Sequence, residues 1–300
     1  PGTGVATIDG RKQWAPELLA EDVQRYLAER AKDRTKPFFL YYTPILPHAN
    51  NEADETSPLG HGMEAPADPE FAARDWPAVE KAFASAMKFV DRDVGAMMAQ
   101  LRALQLDDTT LVMLSSDNGP HQEGGHKAAF FQSSGGLTGT KRDLTEGGIR
   151  VPFIARWPGR IKPGTVSEHV SGFQDLLPTV AELAGVTITA ECDGISFLPT
   201  LLGDRARQTS HPYLYWHFNE QGGKRAVLQW PWKLIHRHTA AAGPTDQTAT
   251  KKKAADGRSL IVELFNLDRD PTESTNLATA NPRKVDELTA HLQQAWRAPR

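Results

Sequence analysis

Thr110-Leu-Val-Met-Leu-Ser115-Ser-Asp117-Asn118-Gly119 is the stretch on which the fold turns. A short, unbroken apolar run bounded by turn residues is the pattern of a strand buried on both faces. Just upstream, Phe83, Met87, Val90, Val94, Met97, Leu101 and Leu104 recur at alternating spacings of four and three. That spacing marks one face of a long helix over residues 76–106. A helix feeding an apolar strand, when the pair repeats, predicts a layered α/β sheet with parallel strands.

The repeat is visible on both sides. Residues 15–32 carry Leu18, Leu19, Val23, Tyr26 and Leu27 at helical spacing, and Phe38-Phe-Leu-Tyr-Tyr42 follows as another strand candidate of the buried type. About thirty polar residues, rich in Asn, Gly and Pro, then form a long loop of the kind that tends to be functional or disordered. Downstream, residues 151–157 predict a third strand, and residues 173–184 a helix stopped by Gly185. The composition shifts near Gly203. Short strands are expected at 213–218, 226–229, 233–237 and 261–265, then a helix over 282–296. Residues 239–258, with Lys251-Lys-Lys253, read as a solvated hairpin loop. The expected division is a large α/β domain over 1–203 and a small antiparallel α+β subdomain over 204–300.

Composition narrows the function classes. Of the 300 residues 39% are hydrophobic and 24% charged, and the formal net charge is −3. This is the profile of a globular chain without the basic face a nucleic-acid binder needs. No apolar run reaches the length of a membrane span. The single cysteine, Cys192, excludes an internal disulfide and a cysteine zinc cluster, and reads as a small buried hydrophobe. The chain opens at Pro1 rather than Met, so it is expected to begin partway through a longer protein, and a missing signal peptide carries no information.

Chemistry concentrates after the apolar strands. In open α/β sheets ligands bind beyond the carboxyl ends of strands. Asp117 and Asn118 stand there as hard oxygen ligands suited to Ca²⁺ or Mg²⁺, although Asp-Asn-Gly alone also reads as a plain turn. Lys141 lies in the Gly-rich segment Ser133-Ser-Gly-Gly-Leu-Thr-Gly-Thr-Lys141. There an ammonium can hold a tetrahedral anion and stabilise charge on a leaving group. A surface lysine is the bland alternative. His48, beyond the first strand in Pro47-His48, can bind an oxyanion or protonate a leaving oxygen, or be an ordinary loop histidine. His121 and His126 flank Glu123, but the intervening Gly124-Gly125 offers no helical ligand face for zinc. Pocket lining, with His121 the better candidate, and a structural role both stay open. Asp91 and Asp93 read as a solvated helix face.

Taken together these motifs resemble one family. Asp117-Asn-Gly, Lys141 followed by Glu146-Gly-Gly-Ile-Arg-Val-Pro152, Pro47-His48 and the tail Glu263-Leu-Phe-Asn-Leu-Asp-Arg-Asp-Pro-Thr-Glu-Ser-Thr-Asn-Leu277 occur in this order in the sulfatases of the alkaline-phosphatase superfamily. The likeness is nearest to bacterial arylsulfatase and N-acetylgalactosamine-6-sulfatase-like members. The resemblance implies an alkaline-phosphatase-like mixed sheet flanked by helices, incomplete at the amino terminus. It also implies a Ca²⁺-dependent (or Mg²⁺-dependent) sulfuric ester hydrolase, periplasmic or secreted. Its partner would be a sulfated small molecule or glycan. Asp117 and Asn118 would be metal ligands, with Lys141 and His48 at the sulfate.

The family's nucleophile is a formylglycine made from Cys or Ser in a Cys/Ser-x-Pro/Ala-x-Arg motif, and neither Cys192 nor any serine of the chain satisfies it. The expected reading is therefore a sulfatase piece, inactive alone, with the formylglycine upstream. Two alternatives stand beside it. One is a phosphodiesterase or phosphonate monoester hydrolase of the same superfamily, and the other a non-catalytic sulfated-glycan-binding protein.

Overall fold

The computed structural model describes residues 5–8, 11–53, 55–220, 222–238, 250–253 and 259–295. The elements, in order, are β1 (Val5–Ile8), β2 (Arg11–Trp14), α1 (Ala15–Arg30), α2 (Pro69–Ala72), α3 (Ala78–Ala103), β3 (Val112–Ser115), α4 (Glu146–Ile149) and β4 (Phe153–Arg156). Then come α5 (Leu176–Leu183), α6 (Leu198–Leu201), β5 (Leu214–Phe218), β6 (Lys224–Gln229), β7 (Trp232–His238), β8 (Thr250–Lys253), β9 (Ser259–Asn266) and α7 (Pro282–Ala295). The chain groups into two compact units. One comprises Pro1–Val112, His121–Ser133 and Trp157–Gly159, and the other Met113–Pro120, Ser134–Arg156 and Arg160–Arg300.

The first unit is built on α1 and α3. Val23 and Leu27 of α1 pack with Leu101 at the far end of α3 and with Leu106 just after it, while Phe83 and Ala86 join Trp14, Leu46, Ala49 and Met63 in a second cluster. The stripe on α3 expected from the sequence is covered at both ends but not throughout, since Met87 is exposed. Residues 38–42 are not a strand: they pair with no neighbour among the described residues. Phe38 and Tyr42 pack inward against the Val23–Leu101 cluster, whereas Phe39 and Tyr41 are exposed. The run is thus half-buried rather than covered on two faces, because ladder neighbours are what bury a central strand. Its anchor is Tyr42, whose hydroxyl donates to Asp93 Oδ2 at 2.8 Å. Burial, with the Asp93 carboxylate beside it, pushes the Tyr42 phenol up from its ordinary value. Asp93 is accordingly buried, which corrects the solvated reading of that position; Asp91 is exposed.

In the second unit β3 and β4 form a two-stranded sheet. Leu114, Phe153 and Ile154 are exposed, contrary to the expectation of strands buried on both faces. Among the described residues the pair gains no third strand, so much of its apolar surface is left uncovered, although Phe153 meets Phe197 edge to face at 5.5 Å. Helix α5 follows a short 3-10 turn and ends where Gly185 takes φ +68°, as its position in the sequence predicts. Cys192 is exposed, not buried.

The C-terminal sheet is antiparallel, in order β5-β6-β7-β9-β8. Its two faces carry separate cores. Ala226, Leu228, Ile235 and Phe265 pack with Leu144 on one face, and Val227, Leu234 and Leu264 pack with Leu288 and Leu292 of α7 on the other. Strand β8 runs through the lysines expected in a solvated loop; residues 239–249 and 254–258 of that expectation lie outside the described residues.

Candidate active site

Strand β3 leads into the turn Ser116–Pro120, where Asp117 is exposed and Asn118 half-buried. Two backbone bonds hold the Lys141 segment against this turn: Gly119 N–H donates to Gly148 O at 2.9 Å, and Lys141 N–H donates to Pro120 O at 2.8 Å. The glycines are required by close approach. A Cβ at Gly119 would fall 1.9 Å from Gly147 O, and one at Gly148 2.2 Å from Asp143 O. Gly119, Gly147 and Gly148 thus form a packed backbone junction, whereas Gly135 and Gly136 of the Gly-rich segment face open space. Lys141 itself is half-buried. The loop beyond it is tied down by Lys224, whose Nζ donates to Arg142 O and Asp143 Oδ1, each at 3.0 Å.

Beneath the junction lies an ion network the sequence did not announce. Fully buried Lys233 on β7 reaches Glu146 Oε1 at 2.8 Å and Glu273 Oε1 at 2.9 Å, and Glu146 N–H donates to Glu273 Oε2 at 2.5 Å. Burial pushes the Glu273 carboxyl up. Two carboxylates meet one buried ammonium, with the exposed Arg150 guanidinium 3.7 Å from Glu146 Oε2, so each member depends on the others. The network fixes α4, and with it the Gly147–Gly148 side of the junction.

The donor set at Asp117 and Asn118 can be tested for a hard cation. Asn118 Nδ2 already donates to Gly119 O at 2.9 Å, which leaves the carboxamide oxygen as the coordinating atom. One exposed carboxylate and one amide oxygen match the chemistry of Ca²⁺ or Mg²⁺ but make up only part of the six to eight oxygens Ca²⁺ takes. Among the described residues no group of three or more His, Cys, Asp or Glu side chains is arranged to hold a metal ion. The pair fits a hard metal as part of a shell.

The first unit holds the histidines. His48 follows Pro47 with its ring half-exposed; Nε2 lies 3.5 Å from Glu123 Oε2 and Nδ1 is 2.7 Å from Ala49 O. His121 is buried, and both its ring nitrogens are committed to backbone: Nδ1 accepts from Glu123 N–H at 3.1 Å, so Nε2 carries the proton donated to Pro47 O at 2.9 Å. Burial holds its pKa below the ordinary value. A ring so engaged braces the Pro47–His48 backbone and has no nitrogen left for a substrate. His126 is buried deeper, stacked on Phe83 at 3.7 Å, with Nδ1 2.6 Å from Glu80 Oε2. Glu80 Oε1 accepts Lys127 N–H at 3.0 Å. Glu80 was missed by sequence reasoning because it sits 46 residues away on α3, and no local pattern links the two.

Comparisons with known proteins give the family. The sulfatase family model matches residues 7–186, and that of the N-sulphoglucosamine sulphohydrolase C-terminal region matches residues 139–242. The chain belongs to the sulfatase family. It is 31% identical to arylsulfatase A of Bos taurus over 96% of its length and 53% of that protein. It is 38% identical to steryl-sulfatase of Rattus norvegicus over 89% of its length and 46% of that protein, and 27% identical to the N-acetylgalactosamine-6-O-sulfatase of Bacteroides thetaiotaomicron over 91% and 51%. The chain therefore spans about half the length of the curated relatives it matches. Among solved structures, Ps i-CgsB in complex with k-i-k-neocarrahexaose aligns with a TM-score of 0.71 at 22% identity, covering 95% of this chain and 55% of that one. BT4656 in complex with its substrate D-glucosamine-2-N,6-O-disulfate aligns with a TM-score of 0.63 at 17% identity, covering 95% and 71%. These likenesses bear out the α/β, alkaline-phosphatase-like fold class. No described helix is long and apolar enough to cross a membrane.

Proposed function

We propose that these residues supply the metal- and sulfate-contacting part of a sulfuric ester hydrolase that acts on sulfated carbohydrates outside the cytoplasm. The observation that carries this reading is the pair of backbone bonds holding the Lys141 segment against the Asp117–Asn118 turn. An ammonium and two hard oxygen donors on one braced junction suit an anionic ester better than any neutral substrate.

In this reading Asp117 and Asn118 hold Ca²⁺, or Mg²⁺, which when bound supplies positive charge against the sulfate oxygens. Lys141 takes a sulfate oxygen and stabilises the negative charge growing on the leaving oxygen. His48, kept within reach of Glu123, is the proton donor to that oxygen. His121 positions the Pro47–His48 backbone instead of touching the substrate. We read residues 1–203 as the large sulfatase domain and 204–300 as its C-terminal subdomain.

The formylglycine that the family uses to attack sulfur is placed in this reading outside the 300 residues, because no Cys or Ser here stands in its motif. Splitting the displacement into two steps is what a nucleophile provides, so the chain alone is expected to be inactive. The same absence suits a non-catalytic sulfated-glycan binder, and both readings require sulfate to be bound.

Calorimetric titration with an aryl sulfate in the presence of Ca²⁺ tests this. The chain should bind it, and Lys141→Ala should weaken binding about ten-fold, the loss of one charge-assisted contact. Binding indifferent to both Lys141→Ala and Asp117→Ala would remove the site from these residues. Hydrolysis above background by the purified chain would contradict the placing of the nucleophile.

A further inference from the structure

The segment that carries Lys141 is tethered to the C-terminal sheet and to the loop after β9, within the second unit. Lys224 Nζ holds Arg142 O and Asp143 Oδ1, the Thr138 hydroxyl donates to Thr272 O, and buried Lys233 joins Glu146 to Glu273. Leu144, between these tethers, is buried in the sheet's core with Ile235 and Phe265. Thr272 and Glu273 stand 134 and 127 residues downstream of the groups they hold.

The backbone shows where these tethers work against local preference. Glu273 takes φ +57° and Arg142 φ +77°, the left-handed region that favours glycine and crowds any residue with a Cβ. Strain of this kind persists only where the surroundings over-determine it, and it gathers at functional sites. Both residues sit at a tether. Arg142 O receives the Lys224 ammonium, and Glu273 Oε2 receives the N–H of Glu146 at 2.5 Å. A glycine at 273 would suit the backbone better but would give up the carboxylate.

From Glu273 the bonds to the candidate site are continuous. Glu146 opens α4, and two residues on Gly148 O accepts the N–H of Gly119, next to Asn118. Gly147 N–H donates to Thr138 O, and Lys141 N–H to Pro120 O, so the same short helix holds the Lys141 segment. A Cβ at Gly147 would fall 2.3 Å from Gly139 O, which leaves this packing no slack.

We infer that Glu273, acting with Lys233, is a positioning residue. It sets α4, and through α4 the placement of the Asp117–Asn118 turn against Lys141, and so the affinity of the site for an anionic ester. The inference rests on the proposed function and adds to it that C-terminal residues support the site.

Calorimetric titration of the whole chain with an aryl sulfate, in Ca²⁺, compares three variants. Glu273→Gly removes the carboxylate, suits φ +57° and leaves Lys233 paired with Glu146. It should weaken binding about ten-fold, as loss of the support behind a ligand set does. Glu273→Gln keeps an oxygen to accept the Glu146 N–H and should lose only about three-fold. Leu288→Ala, in the core on the sheet's other face, destabilises the fold without touching a tether and should bind as the native chain does. Native affinity in Glu273→Gly overturns the inference, and so does an equal loss in Leu288→Ala with both chains folded. Failure of the underlying reading shows differently, as no binding by the native chain or binding that ignores Lys141→Ala. A measurement without ligand decides the positioning role in that case. In the ¹⁵N-labelled chain the amide signals of Gly119 and Lys141 should shift in Glu273→Gly and stay in place in Leu288→Ala. Stationary signals in Glu273→Gly would overturn it. Should Glu273→Gly not fold, Glu273→Gln carries both measurements, with the smaller loss expected.

Discussion

Two sheets of the second unit use the same residue types with opposite outcomes. In the C-terminal sheet Leu234 and Leu264 are wholly buried, whereas Leu114, Phe153 and Ile154 of the β3–β4 pair are 42%, 45% and 59% exposed. Nothing in side-chain character separates them. The difference is connectivity. Strands β5, β6, β7 and β9 follow one another closely enough to pair as a meander, and α7 returns to cover one face. Strands β3 and β4 are separated by the whole Lys141 segment and, among the described residues, pair only with each other. Apolar patterning calls for burial, but strands that depend on distant partners do not cover themselves.

The largest effect that would break this comparison lies beneath the active-site junction. Lys233→Met leaves Glu273 buried without its cation and Glu146 with the exposed Arg150, and should cost about 3–5 kcal/mol in urea unfolding. A loss under about 1 kcal/mol would mean the network does not anchor the C-terminal sheet. Leu264→Ala comes next, at about 2–5 kcal/mol, as a cavity in a core that cannot collapse.

A smaller effect separates the His121 bracing from the Lys233 network by the sign of their pH dependence. Burial lowers the His121 pKa, so the unfolded chain binds the proton first. Its contribution is complete above its ordinary value of 6.5 and falls as the pH drops from there through the folded value. His121→Gln should flatten the fall in urea midpoint on acidification from about pH 7. It should not abolish the fall, since burial lowers His61 and His169 as well. Glu273 has the opposite sign. Its raised folded pKa gives stability that is present below 4.5 and lost as the pH rises through the folded value. The smallest effect is expected at the open pair. Ile154→Ser should change stability by no more than about 0.5 kcal/mol while reducing light scattering on storage. A loss as large as that of Leu264→Ala would show that β4 is covered after all.

The strands of the C-terminal sheet were legible because alternation and turn residues are local signals; the expected segments at 226–229 and 233–237 fall within β6 and β7. Strand β8 was not, because Thr250-Lys-Lys-Lys253 has the composition of a solvated loop and is held by backbone pairing to β9. At residues 38–42 the apolar run was legible and its pairing was not. The candidate site divides in the same way. Asp117, Asn118, Lys141 and His48 stand out by residue type and by position after an apolar run or within a Gly-rich segment. The engagement of both His121 nitrogens by backbone, and the burial of Asp93 against Tyr42, depend on segments the local pattern does not join.

By itself, then, the amino-acid sequence determined most of the helical and extended segments, though not the state of residues 38–42 or of β8, together with where the family's motifs lie and what chemistry they can offer a sulfate. Periodicity, turn residues and side-chain functional groups are properties of short stretches. Only the tertiary structure decided which of those groups are available and which are committed to holding others in place. Glu80 meets His126, Lys233 meets two glutamates from distant segments, and Arg225 falls in register between two histidines, through chain closure over tens of residues. Such pairings are set by long-range packing, whose energy is shared among many contacts and written in no single stretch.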